Sequence, residues 1–298
     1  MQSEHQSLSV IVPVRNSGRT VSRTFESILS QTIKPEKIVV VFDDSSDNSL
    51  DVINKYIEAY PHTFVLIHGP GKGIGAARQE AIRAVKTQFV SFLDSDDWYV
   101  DDALESLLSG VRKTGAVCGL VQEVYETGRQ RTRYPEAVGH LIDYERLKKG
   151  NPIPMSTTMY QTSLLREIGG FDRNLLWIED YDLHLRIAKV VPYFFANKII
   201  AYYSTIENPT LSTRTYEYAK WTAIVWLKNG FIDWKSIWHS LAYSVTSLLL
   251  VPINIIKNLF KRNIRVFHYE YLQILAGYVT GLVTGYHPRY NKAEDNRQ

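Results

Sequence analysis

The chain has 298 residues, 45% hydrophobic and 22% charged, a globular balance sufficient for one large α/β domain with an appendage or for two smaller domains. A formal net charge of only +3 does not suggest a nucleic-acid binder, where a concentrated Lys/Arg face is expected, and suits a protein that handles phosphorylated substrates or touches anionic lipid. The lone cysteine, Cys118, excludes an intrachain disulfide and a Cys/His zinc site, and its apolar surroundings read as a buried small hydrophobe rather than a catalytic thiol.

Residues 8–14 are rich in β-branched side chains and predict a buried strand. Val21, Phe25, Ile28 and Leu29 then fall at helical spacing within 20–30. A second β-branched run covers 37–42. Asp47 is expected to cap the next helix, whose apolar side carries Val52, Ile53, Tyr56 and Ile57. A third strand is expected over 63–67, an Ala-rich helix over 73–85 and a fourth strand over 88–93. This cadence predicts a mostly parallel sheet covered on both faces, with ligands beyond the carboxyl ends of its strands. Further along, a strand is expected over 116–124, a polar hairpin or loop over 127–133, and a chain break at the Asn-Pro-Ile-Pro run of 151–154. A strand follows over 156–161, a helical turn over 164–168, a helix over 179–190 and a late strand over 197–204.

Three polar clusters fall at predicted strand ends: Arg15 with Asn16, the acids between Asp43 and Asp47, and the run Asp94, Ser95, Asp96, Asp97. Their convergence on one sheet edge is stronger evidence than any one of them. Clustered carboxylates repel one another and are costly to desolvate, and a hard divalent cation relieves both problems while phosphate oxygens complete its shell. Standing alone, the run at 94–97 reads equally well as a helix cap with surface acids. Asp44 suits a contact to a base or ribose. The glycine-rich turn at 69–78 offers backbone N–H groups to a phosphate, or it is a flexible turn with Arg78 on the surface. It lacks the Gly-Lys-Ser/Thr ending of a P-loop, and no Gly-x-Gly-x-x-Gly follows the first strand. Glu179 and Asp180 open the helix over 179–190, where a carboxylate suits a general base for an acceptor hydroxyl. His184 shares a helix face with Asp180 and reads as an orienting or packing residue.

In order, Ser9-Val-Ile-Val-Pro-Val-Arg-Asn16, Val41-Phe-Asp-Asp-Ser-Ser-Asp47, Gly75-Ala-Ala-Arg78, Phe92-Leu-Asp-Ser-Asp-Asp97, Gly169-Gly-Phe-Asp172 and Glu179-Asp-Tyr-Asp-Leu-His-Leu-Arg186 resemble the motifs of family 2 glycosyltransferases, the inverting group with the GT-A fold. The resemblance covers roughly the first 215 residues, and it is the ordered set that is specific. It implies an α/β, GT-A-like sheet flanked by helices, with a helical C-terminal appendage. It also implies that Pro13, Arg15, Asn16, Asp44, Arg78, Asp94, Ser95 and Asp96 contact the nucleotide sugar. Mn²⁺ or Mg²⁺ would be held by Asp96 and Asp94 with Asp97 adjacent, Asp180 would be the catalytic base, and Glu179 would position the acceptor. No Gln-x-x-Arg-Trp motif follows Asp180, so the chain is similar to the non-processive members. The Arg or His that many members carry after the late strand is missing, and Asn208, Ser212 and Arg214 stand as alternatives for its contact.

The expected activity is metal-dependent transfer from a nucleotide sugar, UDP-linked by default, to a saccharide or lipid-linked acceptor in surface polysaccharide or glycolipid synthesis. A nucleotidyltransferase and a non-catalytic sugar-binding subunit are the competing readings. The expected division is a catalytic domain over 1–215 and a helical region over 216–298. The N-terminus carries no signal-peptide pattern. Residues 236–256 and 271–288 lack Asp, Glu, Lys and Arg, and a basic connector separates them. They predict in-plane helices or a re-entrant hairpin at the inner face of the cell membrane, with the catalytic part in the cytoplasm. A soluble appendage mediating homo-oligomer contacts is the alternative.

Overall fold

The protein is described by a computed structural model, which covers residues 7–125, 127–133, 140–205 and 211–230. The membrane-contact segments expected within 236–288 lie outside the described residues, as does Asn208.

The chain runs β1 (Leu8–Val14), α1 (Val21–Leu29), β2 (Lys37–Phe42), α2 (Ser49–Ala59), β3 (Phe64–His68), α3 (Ile74–Ala84) and β4 (Phe89–Phe92). A two-residue strand β5 (Trp98–Tyr99) and α4 (Ala103–Thr114) lead into β6 (Ala116–Tyr125), β7 (Gln130–Arg133), β8 (Leu141–Ile142) and the short α5 (Tyr144–Leu147). After a 3-10 turn at Met155–Thr157 come β9 (Thr158–Gln161), α6 (Thr162–Glu167), α7 (Glu179–Ala188), β10 (Tyr193–Thr205) and α8 (Leu211–Lys228).

The described strands form one sheet in the order β3-β2-β1-β4-β9-β6-β10-β5, with β7 beside β6 and β8 beside β10. Strands β1 to β4 are mutually parallel, as their alternation with helices demands. The sheet is mixed beyond that block: β9 runs antiparallel to both β4 and β6, while β6 and β10 pair in parallel. Alternation sorts the strands' side chains. Val10, Val12, Val14, Ile38, Val40 and Phe42 pack with α1, α2 and α4, while α3 lies against β1 and β2. Pro13 sits in β1 just past its last pair with β4, Ile11 to Phe92, so the missing N–H removes little from the ladder.

Two local expectations change. Neither Asp96 nor Asp97 caps a helix, because α4 begins later, with Asp102 at its N-cap. Asp47 serves the start of α2 from one residue further out: its Oδ1 accepts from Ser49 N at 3.0 Å, and Asn48 occupies the cap position. The polar segment 127–133 closes as a hairpin, β7 pairing antiparallel with β6. The chain divides into two compact units, Met1–Glu207 and Asn208–Gln298. In the second, α8 is the described helix, and Trp221 Nε1 donates to Glu217 Oε2 one turn earlier at 2.8 Å. Among the described residues, no helix is long and apolar enough to cross a membrane.

Candidate active site

Because β1, β2 and β4 are parallel, their carboxyl ends meet at one edge, and hydrogen bonds stitch the loops that leave them. Asn16 N donates to Ser45 Oγ at 3.0 Å, and Asn16 Oδ1 accepts from Ser46 N at 2.8 Å. Ser17 Oγ meets Ser95 Oγ at 2.7 Å, joining the first loop to the third. Gly18 N donates to Asp47 Oδ2 at 2.8 Å. The side chain of Asn16, expected at the nucleotide, therefore holds the second loop in place. Asn16 also adopts a left-handed backbone, φ 52°, which asparagine tolerates better than most residues. Arg15 and Asp44 remain exposed beside this seam. Asp43 is buried, and its Oδ1 accepts from Gly71 N at 3.1 Å, tying the second strand end to the glycine-rich turn.

That turn is partly committed within the fold. Gly71 N is committed to Asp43, and the N-terminus of α3 packs closely on α7. A Cβ on Gly75 would lie 2.8 Å from Glu179 Cγ and 3.0 Å from Glu179 Cβ. Gly75→Ala adds about 1 kcal/mol of helix propensity, yet overpacking against a side chain locked in an ion pair costs about 1–3 kcal/mol. We expect net destabilisation, read as a lowered urea midpoint; a raised midpoint would show that α3 and α7 separate freely.

One turn further along α3, Arg78 is buried rather than on the surface. Its Nη1 donates to Glu179 Oε1 at 2.7 Å and its Nη2 to Asp94 Oδ1. The guanidinium lies 5.7 Å from the centre of the Phe171 ring. Arg78 thus joins the acids after β4 to the start of α7. The Gly-Gly-Phe-Asp motif supports the same junction. Phe171 N donates to Gln79 Oε1 at 2.7 Å, and Gly170 O accepts from Arg186 Nη2 at 2.6 Å.

The acids after β4 have three different environments. Asp94 is partly exposed and paired with Arg78. Asp96 is exposed at the edge, yet neighbouring atoms partly desolvate its carboxylate, and this, with the adjacent charge of Asp94, raises its pKa above the usual value. Asp97 is fully buried: its Oδ2 accepts from Ser156 Oγ at 2.5 Å and its Oδ1 from Ser204 N at 3.3 Å. Burial first, and then the charges of Asp94 and Asp96, push the Asp97 carboxyl well above the ordinary carboxylate range. Among the described residues no three His, Cys, Asp or Glu side chains form a ready metal cluster. Of the three acids expected at a cation, Asp97 is the most enclosed, with both carboxylate oxygens accepting hydrogen bonds from Ser156 and Ser204. Asp96, crowded by Asp94 and open to solvent, fits a cation that takes one or two protein carboxylates and the rest of its shell from phosphate.

A cleft of about 270 Å³ opens beside these acids, lined by Arg78, Asp94, Glu179, Asp180, Tyr203 and the segment 151–156. Asp180 and Glu179 enter it from the first turn of α7, which is launched by Ile178 in a left-handed conformation, φ 51°. For a β-branched residue this is a strained geometry of the kind that persists only where surroundings over-determine it. Burial raises the pKa of both carboxyls, against the opposing pull of Arg78. Glu179 is committed to Arg78, whereas Asp180 accepts from Asn151 Nδ2 at 3.1 Å. His184 lies behind them, fully buried, with Nδ1 2.8 Å from Tyr193 Oη; burial lowers its pKa to about 3, which fits a packing role. Sequence reasoning did not single out Asn151, Ser156 or Tyr203, since residues around 151–154 signal only a break in regular structure.

A GT-A-like α/β fold carrying acids at the carboxyl edge of its parallel strands defines a sugar-transferase class of site. The profile of Glycosyl transferase family 2 matches residues 9–169, and the chain belongs to that family. It is 32% identical to EpsH of Bacillus subtilis over 42% of this chain and 37% of that one. To the Escherichia coli protein named UDP-Glc:alpha-D-GlcNAc-diphosphoundecaprenol beta-1,3-glucosyltransferase WfgD it is 29% identical, over 61% of this chain and 70% of that one. The crystal structure of S. aureus TarS 1-349 in complex with UDP-GlcNAc superposes with a TM-score of 0.57 at 21% identity, covering 74% of this chain and 66% of that one. The chain thus spans little more than a third of EpsH.

Proposed function

We propose that this chain transfers a sugar from a nucleoside-diphosphate sugar to a hydroxyl of a saccharide or lipid-linked acceptor, with inversion at the anomeric carbon. The observation that carries the reading is the shared cleft. Asp94 and Asp180 come from separate elements and line one cavity, and the buried Arg78 pairs with Asp94 and with Glu179, the neighbour of Asp180. In the proposed step Asp180 accepts the acceptor's proton as its oxygen bonds to the anomeric carbon. The bond from that carbon to the diphosphate oxygen breaks, and the nucleoside diphosphate leaves. Arg15 and Asp44, exposed at the first two strand ends, are the proposed nucleotide contacts, with Pro13, Asn16 and Ser95 shaping the loops beneath them. Glu179, through Arg78, orients the start of α7. Mg²⁺ or Mn²⁺ would be held by Asp96 with Asp94 alongside, and would neutralise charge on the departing diphosphate. The UDP-GlcNAc bound in the TarS complex and the UDP-Glc donor for which WfgD is named support a UDP sugar as donor, and the diphosphoundecaprenol acceptor of WfgD supports a lipid-linked acceptor. The catalytic domain is proposed to span 1–215. The region 216–298 is proposed to meet the inner face of the membrane, where such an acceptor resides, or to mediate homo-oligomer contacts.

A thermal-shift panel of UDP-, dTDP- and GDP-sugars with Mn²⁺ tests the donor, because a ligand that binds only the folded state raises its stability, by about 2.7 kcal/mol at a hundred times its Kd. One nucleotide class should raise the melting temperature. A response confined to free nucleoside triphosphates would instead favour a nucleotidyltransferase. With the donor found, Asp96→Ala and excess EDTA are each expected to lower release of nucleoside diphosphate about a hundredfold. Full turnover in EDTA would contradict the metal role.

A further inference from the structure

The segment 151–156 touches both halves of the site. At one end Asn151 Nδ2 donates to Asp180 Oδ2 at 3.1 Å. At the other, Ser156 Oγ donates to Asp97 Oδ2 at 2.5 Å and accepts from Asp94 N at 3.2 Å. The chain between them is stiff for identifiable reasons. Pro152 and Pro154 fix two φ angles. Asn151 Oδ1 accepts from Ile153 N at 3.1 Å, closing a local turn, and Thr157 N bonds back to Pro154 O at 3.1 Å. The first of these bonds also settles the amide orientation. With the carbonyl oxygen committed to its own backbone, the NH₂ group must face Asp180.

We propose that Asn151 is a positioning residue for Asp180, and that the stiff segment 151–156 sets the base at a fixed distance from the donor-side acids. This rests on the reading of Asp180 as the base. A flexible carboxylate at a helix start samples several rotamers, and the amide selects the one whose remaining lone pairs face the cleft. A donor also favours the ionised carboxylate, so Asn151 works against the burial that raises the Asp180 pKa. The other charged groups facing Asp180 are Arg78 on α3, Asp94 after β4 and Glu179 beside it. Substitution of Asn151 leaves all three in place.

The test is a pH titration of the full chain carrying ¹³Cγ-labelled aspartate, without substrate. The Asp180 signal is identified as the one lost in Asp180→Asn. Asn151→Ala is expected to raise its midpoint by about one pH unit, the equivalent of one hydrogen bond to a charged group. Asn151→Ser keeps an oxygen for the turn to Ile153 N, removes the amide donor and adds no charge, so a purely structural Asn151 predicts no change there; an upward shift like that of the alanine variant is expected. It also carries the test should the alanine variant fail to fold. A midpoint within 0.2 pH units of wild type, taken as about the reading error, in both variants would overturn the proposal. Failure of the base reading is seen separately, as unimpaired turnover in Asp180→Asn.

Discussion

Asp180→Asn is expected to lower kcat by about 10²–10⁴-fold, the usual contribution of a positioned general base, while leaving donor affinity close to wild type. The asparagine preserves size, and its amide fits the same space at the start of α7, so loss of fold does not explain the loss of rate. It lacks the charge needed to accept a proton from the acceptor hydroxyl. Asp180 also gives the pH dependence a definite sign. Burial raises its pKa, with Arg78, the Tyr181 backbone N–H and Asn151 opposing. Activity needs the ionised form, so it is present above the raised pKa and lost as pH falls through it. The acidic limb of kcat/KM should therefore lie above the ordinary carboxylate value of about 4. A limb at or below that value, or an Asp180→Asn variant with wild-type kcat, would remove Asp180 from the reaction.

Arg78→Met is expected to cost about 3–5 kcal/mol, because it strands two carboxylates that one guanidinium now serves. Arg78 and Glu179 have side chains only 3% and 7% exposed, so water replaces little of the lost interaction; Asp94, at 27%, is better able to recover. The unpaired Glu179 would dominate the loss. The double variant Arg78→Met with Glu179→Gln should then recover a substantial part, since it removes the buried charge while keeping the packing on Phe171. Arg78→Lys should recover little, as an ammonium lacks the planar fork that reaches both acids. Urea denaturation of the four proteins decides this. Equal losses in the single and double variants would assign the effect to packing instead.

These two residues also show what the sequence made legible. Strands β1, β2 and β4 announce themselves because fully buried parallel strands are β-branched and nearly continuous in apolar residues. Their parallel order places Asn16, Asp43 and Asp94 at one edge by topology alone. Arg78 was not legible as a buried residue, because a glycine-rich turn ahead of a helix looks exposed until α7 is folded against it. Nor could the fate of Asp97 be read: four adjacent polar residues look alike until Ser156 and Ser204, 59 and 107 residues away in the chain, arrive to bury one of them. The strand β10 begins at Tyr193, ahead of the expected 197, since Asn197 forms part of an irregularity with φ 48° that masks the alternation on either side. Local pattern specifies the elements and their order; which acid is open and which is walled in is decided by tertiary contacts.

The most direct test of single-displacement transfer is the anomeric configuration of the first-formed product, read by ¹H NMR from the coupling constant of the transferred sugar. With one base, Asp180, on the acceptor side of the cleft, the configuration should be opposite to that in the donor. Retention of the donor's configuration would contradict the proposed mechanism.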